Sequence, residues 1–387
     1  MDSRLGQRLD KIEAVLDKWL PEKPDASWLE LVFGRTPGSD PNSSFLISHS
    51  SFPNPSFLIS HSSFLTRPGW DLVKRGGKRW RPLLMVLTAE AIAGGKGLDA
   101  ALPLTPLVEF PHNASLIHDD IEDNSDQRRG KPAVHLIYGN DTAINSGAFM
   151  YFLPLACIQA SQKAEDSKTA DPGPKGNVAP EQINRIWTVW ASHMRALHLG
   201  QAMDIAWHRD YNSLPALDEY DRMCRLKTGC LARLAAVLGA YCSGRSFKEQ
   251  DALAAVFGEA AERLGVGFQI LDDVKNLETG VPGKKRGDDI VEGKKSLPVL
   301  LYLYRYPEKR EFTARCFTAA RAGGTSAPEV EEIISAMERA GVLDEAREKG
   351  LEYIRGSRSV FTAPEAAGIT LTMEGRELLG GLIDMLG

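Results

Sequence analysis

Leu5, Leu9, Ile12, Val15, Leu16, Trp19 and Leu20 recur at three- and four-residue spacing, which predicts an amphipathic helix ending before Pro21 and Pro24. From Trp70 onward the same period dominates. Ala, Leu, Glu and Arg are frequent there and alternating β-branched runs are rare, so the body is expected to be all-α. Predicted helices cover residues 81–93, 104–122, 141–160, 180–204, 217–243, 248–277, 297–304, 327–340 and 343–354. Breaks are expected at Gly94-Gly95, across a Pro- and Gly-containing surface loop at 166–180, and at 280–293. Between about 35 and 68 the chain turns to Ser, Pro, Phe and His, and FLISHSSF occurs twice, at 45–52 and 57–64. Two copies are too few for a solenoid, so this stretch reads as a partly disordered insertion. The expected organisation is therefore an amphipathic helix region at 1–34, the duplicated insertion at 35–68, and one helical domain at 69–387.

Composition adds mostly exclusions. The 387 residues are 43% hydrophobic and 25% charged, as in soluble globular proteins, and suffice for a core that encloses a ligand cavity. With 46 basic against 51 acidic residues the net charge is -5, so there is no general attraction to nucleic acid or an anionic membrane. Any phosphate must be bound by local basic clusters. No 18-residue uncharged apolar run occurs; the best candidate, Trp80–Ala93, is too short and holds Arg81 and Glu90, so no membrane span is expected. The first residues lack the apolar core of a signal peptide, and the five cysteines form no CxxC pair. Both features point to buried thiols and a cytoplasmic location.

The chemistry concentrates in two acidic motifs. In HDDIEDNSDQRRG, residues 118–130, Asp119 and Asp123 share a helical face with Asp120 beside them. Such clustering is unfavourable unless a cation relieves it, and Mg²⁺ typically takes one or two carboxylates along with water and substrate phosphates. An acidic solvated helix is the ordinary alternative. A second pair, Asp272-Asp273, emerges from the apolar run GFQIL, with Asn276 one turn later. Two apolar helices each presenting Asp-Asp suggest opposite walls of one cavity. Basic residues follow the same geography: Lys78, Arg79 and Arg81 in GGKRWRP, Arg128 and Arg129, Lys227 with Thr228, then Lys284, Lys285, Arg286, Lys294 and Lys295. Metal-binding carboxylates and dispersed cations in an apolar helical body imply a substrate with a diphosphate head and a hydrocarbon tail. A nucleotide fits less well, because no GxxxxGK[ST] loop and no GxGxxG turn is present.

The ordered series GGKRWRP, HNASLIHDDIEDNSDQRRG, GQAMD, KTG, GFQILDD and GKKSLP, covering about 76–298, resembles the trans-isoprenyl diphosphate synthases, or polyprenyl synthetases. Their first motif, DDxxD, is intact as Asp119, Asp120 and Asp123. The second reads DDxxN, as in geranylgeranyl diphosphate synthases of eukaryotic type. The resemblance implies a single large helical bundle around a central prenyl-binding cavity. It implies that Asp119, Asp123 and Asp272 ligate Mg²⁺, three ions in all, on an allylic diphosphate, with Asp120 and Asp273 in support. Arg128, Lys227, Thr228, Gln269, Lys294 and Lys285 would contact the same diphosphate, Lys284 competing with Lys285. Lys78, Arg81, His112 and Arg129 match the isopentenyl diphosphate site. A homodimer is the family's common state.

By that resemblance the reaction joins isopentenyl diphosphate to dimethylallyl, geranyl or farnesyl diphosphate through ionisation, condensation and proton loss. Ala114 and Ser115, five and four residues before Asp119, are small and leave the product tunnel open, so a twenty-carbon product is expected; Phe110, Phe149, Tyr151 and Phe152 are available to close it further down. Farnesyl or longer polyprenyl diphosphate synthesis is the next reading. A terpene cyclase would carry Ser or Thr and then Glu where Asn276 and Gly280 stand. A noncatalytic, partner-binding subunit is the reading from another class, opposed by the intact first motif and both basic sites.

Overall fold

The computed structural model describes residues 2–33, 55–163, 180–280, 285–364 and 368–387. They form an all-α protein whose contacts divide it into two compact units, residues 1–86 with 95–187 and residues 87–94 with 188–387. The first unit is built from Ser3–Trp19 (α1), Ala26–Phe33 (α2), Pro55–Lys74 (α3), the start of Trp80–Ala93 (α4), Gly95–Ala101 (α5), Pro106–Glu122 (α6), Val134–Tyr138 (α7), Asn140–Phe152 (α8) and Leu155–Lys163 (α9). The second takes most of Pro180–Arg209 (α10), then Leu217–Cys224 (α11), Cys230–Tyr241 (α12), Phe247–Glu278 (α13), Asp288–Glu292 (α14), Leu297–Arg305 (α15), Arg310–Gly323 (α16), Pro328–Arg339 (α17), Val342–Thr362 (α18) and Met373–Asp384 (α19).

In the first unit the apolar stripe of α1 is buried through Leu5, Ile12, Leu16 and Trp19, as its spacing requires. The Trp28 indole N–H donates to the Trp19 carbonyl at 3.0 Å, and Trp28, Phe33 and Phe149 form an aromatic cluster that ties α2 to α8. The first FLISHSSF copy lies outside the described residues, as do Lys284 and most of the 166–180 loop. The second copy forms the opening turns of α3, which leads directly into the Gly76-Gly77 loop. The predicted helix at 141–160 is two helices, because Pro154 cannot supply the N–H that would continue α8.

In the second unit α13 is the longest helix and packs against α12 and α18. Its start carries a capping box: Ser246 Oγ accepts from the Glu249 N–H and the Glu249 carboxylate accepts from the Ser246 N–H. The predicted helix at 217–243 is interrupted by a π-helical turn, Arg225–Gly229, which holds Lys227, Thr228 and Gly229. Close approach accompanies it. A Cβ on Gly265 would lie 2.8 Å from the Gly229 Cα, and one on Gly200 would lie 2.4 Å from the Lys227 nitrogen. A further apolar cluster around Ile290, Phe317, Ile333 and Val342 seals α14 to α18.

Candidate active site

The three carboxylates of the first motif stand at the C-terminal end of α6. Asp119 and Asp120 occupy its last turn and Asp123 is the C-cap, its N–H donating to the Asp119 carbonyl at 2.8 Å. That is the negative end of the helix dipole, where negative side chains are unfavourable and added positive charge is stabilised. Arg128 supplies part of it: its Nε donates to Asp120 Oδ1 at 2.8 Å, its Nη2 bonds the same oxygen, and Asp119 Oδ2 lies 3.5 Å away. Asp120 is fully buried in this pairing, so its part is to hold Arg128, whereas Asp119 is only partly buried.

Arg128 gets there through a two-stranded ribbon, Gln127–Arg128 (β1) against Lys131–Pro132 (β2), with Arg129 and Gly130 as the turn. Both turn residues have positive φ, 53° and 74°, the left-handed pair that a tight two-residue hairpin demands. Arg75 fastens the ribbon, donating to the carbonyls of Arg128 at 3.1 Å and Pro132 at 2.8 Å. The turn directs Arg129 the other way, to the Leu72 carbonyl at 2.9 Å and Asn113 Oδ1 at 3.1 Å.

His112 lies two turns upstream of Asp119 on α6, with its Nε2 3.5 Å from Arg81 Nη1. Burial first, then the charges of Arg81, Arg129, Arg79 and Arg128, hold its pKa well below 6.5, so at neutral pH it is an uncharged imidazole among guanidinium groups. Burial likewise lowers Arg129 to about 10, which leaves it charged. Arg81 lies over the Trp80 ring at 4.4 Å, and Lys78 is exposed. Arg81, His112 and Arg129 therefore come together within the first unit as a cationic group suited to a polyanion.

The second unit presents a parallel set. Asp272 is partly exposed and has no hydrogen-bond or ion-pair partner among the described residues, while Asp273 is buried. Asp273 accepts from Gln269 Nε2 at 2.7 Å and from the Tyr220 hydroxyl at 3.0 Å, and Thr228 donates to Gln269 Oε1 at 2.7 Å. Burial, and after it the charge of Asp289, pushes the Asp273 carboxyl up to about 8, against the hydrogen bond from Gln269. Lys227 Nζ pairs with Asp204 at 2.5 Å. Lys294 pairs with Glu292 at 2.5 Å and lies 3.8 Å from Asp289. Lys285 is exposed, whereas Arg286 is drawn to Glu331, Glu338 and the Leu277 carbonyl.

Asn276 has a structural task. It is buried, its Oδ1 accepts from the Asp289 N–H at 3.2 Å, and its carbonyl accepts from the Gly287 N–H at 3.0 Å. The amide oxygen and the backbone carbonyl therefore anchor α14 and the loop that carries Lys285 and Lys294, while Nδ2 has no hydrogen-bond partner among the described residues.

A family model for polyprenyl synthetases matches residues 62–337. The chain belongs to the polyprenyl synthetase family. It is thus a prenyltransferase of all-α fold. It is 30% identical over 317 residues to a geranylfarnesyl diphosphate synthase of Aeropyrum pernix, covering 81% of this chain and 91% of that protein. To a geranylgeranyl diphosphate synthase of Methanosarcina mazei it is 31% identical, covering 73% of this chain and 78% of the other. Among solved structures, a geranylgeranyl pyrophosphate synthetase of Geoglobus acetivorans aligns with a TM-score of 0.66 at 29% identity, over 84% of this chain and 92% of that one. The fold is also that of a Pyrococcus horikoshii geranylgeranyl pyrophosphate synthetase, with TM-score 0.72, 24% identity, and 99% and 97% coverage.

For a polyprenyl synthetase, the residues missed by motif reading are the partners: Asp204 for Lys227, Tyr220 for Asp273, Asp289 for Asn276, and Glu109 with Asn113 behind Arg129. Asp204 stood in plain view as the last letter of GQAMD; Tyr220 and Asp289 carry no spacing signal. Among the described residues no three His, Cys, Asp or Glu side chains form a protein-only metal cage, and none of the helices is long and apolar enough to cross a membrane. Partly exposed hard carboxylates at a helix C-terminus, completed by water and phosphate oxygens, are nonetheless the donor set that Mg²⁺ takes.

Proposed function

We propose that this enzyme condenses isopentenyl diphosphate with an allylic diphosphate, dimethylallyl, geranyl or farnesyl, to give geranylgeranyl diphosphate. The observation that carries the reading is the pairing, on α6 and the adjoining ribbon, of carboxylates at the helix C-terminus with a separate guanidinium group around an uncharged His112. One polyanion would be met through metal and the other through cations alone. Asp119, Asp123 and Asp272 are the assigned Mg²⁺ ligands; when bound, Mg²⁺ neutralises charge that builds on the departing diphosphate.

The chain's own residues do the rest. Arg128, Lys227, Thr228, Gln269, Lys285 and Lys294 hold the allylic diphosphate and favour cleavage of its C–O bond by electrostatic stabilisation of the leaving group. Asp120 holds Arg128, Asp204 holds Lys227, and Asp273 orients Gln269. Lys78, Arg81, His112 and Arg129 hold isopentenyl diphosphate, whose double bond attacks the allylic cation before a proton is lost. No protein nucleophile is needed.

Packing on α6 supports the twenty-carbon product. Ala114 is fully buried and Ser115 folds its hydroxyl back onto the His112 carbonyl at 2.8 Å, so neither side chain projects bulk. Phe110 is core, Phe149 belongs to the Trp28 cluster, Tyr151 lies beside the His118 ring, and Phe152 is 67% exposed. Phe152 joins Leu136, Ile137 and Ile144 as exposed apolar side chains of the first unit, which supports a homodimer that covers them. Purified protein incubated with Mg²⁺, isopentenyl diphosphate and each allylic primer should give a linear twenty-carbon alcohol after dephosphorylation. A cyclised hydrocarbon formed without isopentenyl diphosphate would reject the reading in favour of a cyclase. Light scattering should report twice the monomer mass.

A further inference from the structure

We propose that Glu13, on the N-terminal helix α1, is a positioning residue for isopentenyl diphosphate, acting through a buried relay that ends on Arg129. The proposal rests on the assignment of Lys78, Arg81, His112 and Arg129 to that substrate. Glu13 Oε1 accepts from Arg79 Nε at 2.6 Å, and Arg79 Nη1 donates to Glu109 Oε1 at 3.1 Å. The same Glu109 oxygen accepts from Asn113 Nδ2 at 2.9 Å, and Asn113 Oδ1 accepts from Arg129 Nη1 at 3.1 Å.

The links between Glu13 and Arg129 lie inside the first unit's core: Arg79, Glu109 and Asn113 are all buried, and Arg129 is half-buried. Arg79 itself sits between Lys78 and Arg81, so its backbone sets the direction in which those side chains leave the loop. That backbone is in the left-handed region, φ 46°, which a side chain with a Cβ adopts only against a steric cost. The conformation is over-determined by the guanidinium, which also bonds the carbonyls of Gly76, at 3.2 Å, and Val73. Gly77 is part of the same arrangement, since a Cβ there would come within 3.2 Å of the Arg129 guanidinium. Among the described residues Glu13 supplies the one acceptor for Arg79 Nε, and without it a buried charged donor loses its partner and the loop loses a constraint. The neighbouring α1 carboxylate offers a comparison: Asp17 pairs with Lys74 at 2.5 Å and reaches the relay only through Lys74, whose Nζ lies 4.0 Å from Glu13 Oε2, so its loss leaves the Glu13–Arg79 hydrogen bond in place.

The test compares Glu13→Ala, Glu13→Gln and Asp17→Ala in the full chain. Isopentenyl diphosphate binding is measured calorimetrically without primer, and KM for each substrate, kcat and Tm are measured alongside. Glu13→Ala should weaken isopentenyl diphosphate binding, in Kd and KM, by roughly three- to thirtyfold, less than the roughly 10- to 150-fold of a direct charge-assisted contact because Glu13 acts through the relay. The primer KM and kcat at saturation should stay at wild-type values. Glu13→Gln, whose amide oxygen still accepts a hydrogen bond, should recover part of the loss, and Asp17→Ala should match wild type. An unchanged Kd in Glu13→Ala, an equal loss in Asp17→Ala, or a rise of both KM values together with a fall in Tm would overturn the proposal. Wild-type binding of isopentenyl diphosphate without turnover would reject prenyl transfer while the Kd comparison still judges the relay; absence of wild-type binding would reject both.

Discussion

Lys295 is the sharpest test of the energetics of this fold. Its side chain is 2% exposed, its Nζ has no hydrogen-bond partner among the described residues, and its neighbours are the rings of Phe317 at 4.6 Å and Tyr211 at 5.6 Å. Burial lowers its pKa from 10.5 to about 8, and the charge of Asp210 offsets this only in part. Below pH 8 the amine is charged in both the folded and unfolded states and the folded state bears the whole desolvation cost. At about 1.4 kcal/mol per pKa unit that cost is about 3 kcal/mol. As pH rises from 8 to 10.5 the unfolded state binds more protons, so stability should rise with pH across this window. Lys295→Met keeps the stem and removes the charge, at the loss of a cation–π contact worth about 1 kcal/mol. The expected net gain is therefore about 2 kcal/mol at pH 7, shrinking towards zero by pH 10. Urea denaturation of wild type and variant, followed by tryptophan fluorescence at pH 7, 8, 9 and 10, reads the difference. A variant less stable than wild type at pH 7, or a difference that does not change with pH, would refute the reasoning.

Other changes should separate the roles assigned above. Asp119→Asn and Asp272→Asn should each lower kcat by about 100-fold or more, as loss of transition-state electrostatics does, with Tm nearly unchanged; chelation of divalent metal should stop turnover and added Mg²⁺ restore it. Gly130→Val should destabilise by about 1–2 kcal/mol in thermal unfolding, because the ribbon turn needs φ 74° there. Gly265→Ala puts a methyl 2.8 Å from the Gly229 Cα and should cost about 1–3 kcal/mol while disturbing the Lys227 turn, seen as a raised primer KM. Ser115→Phe should shorten the product to fifteen carbons by mass analysis, and an unchanged twenty-carbon product would reject the tunnel argument.

The all-α class, the main helices and both acidic motifs were legible in the sequence because each rests on local information. A helix declares itself by a 3.6-residue period, and carboxylates three or four apart share a face whatever the rest of the chain does. The family's motifs marked Arg128, Lys227 and Gln269 in the same way. Pairing between distant residues was not legible. That Asp120 turns inward to Arg128 follows from a hairpin whose Arg129-Gly130 turn folds the chain back, and that Lys227 meets Asp204 follows from a π-helical turn against Gly200. The contact of Asn276 with the start of α14 was equally illegible, because Asp289 lies thirteen residues away across a loop. In sequence Lys295 stands with Lys294 among the cations suited to a phosphate; only the packing of Phe317 and Tyr211 makes it a buried amine. The spacing of residues along a helix is fixed by backbone geometry, whereas burial, and with it the charge state and partner of every polar group, is set by what the rest of the fold places against them.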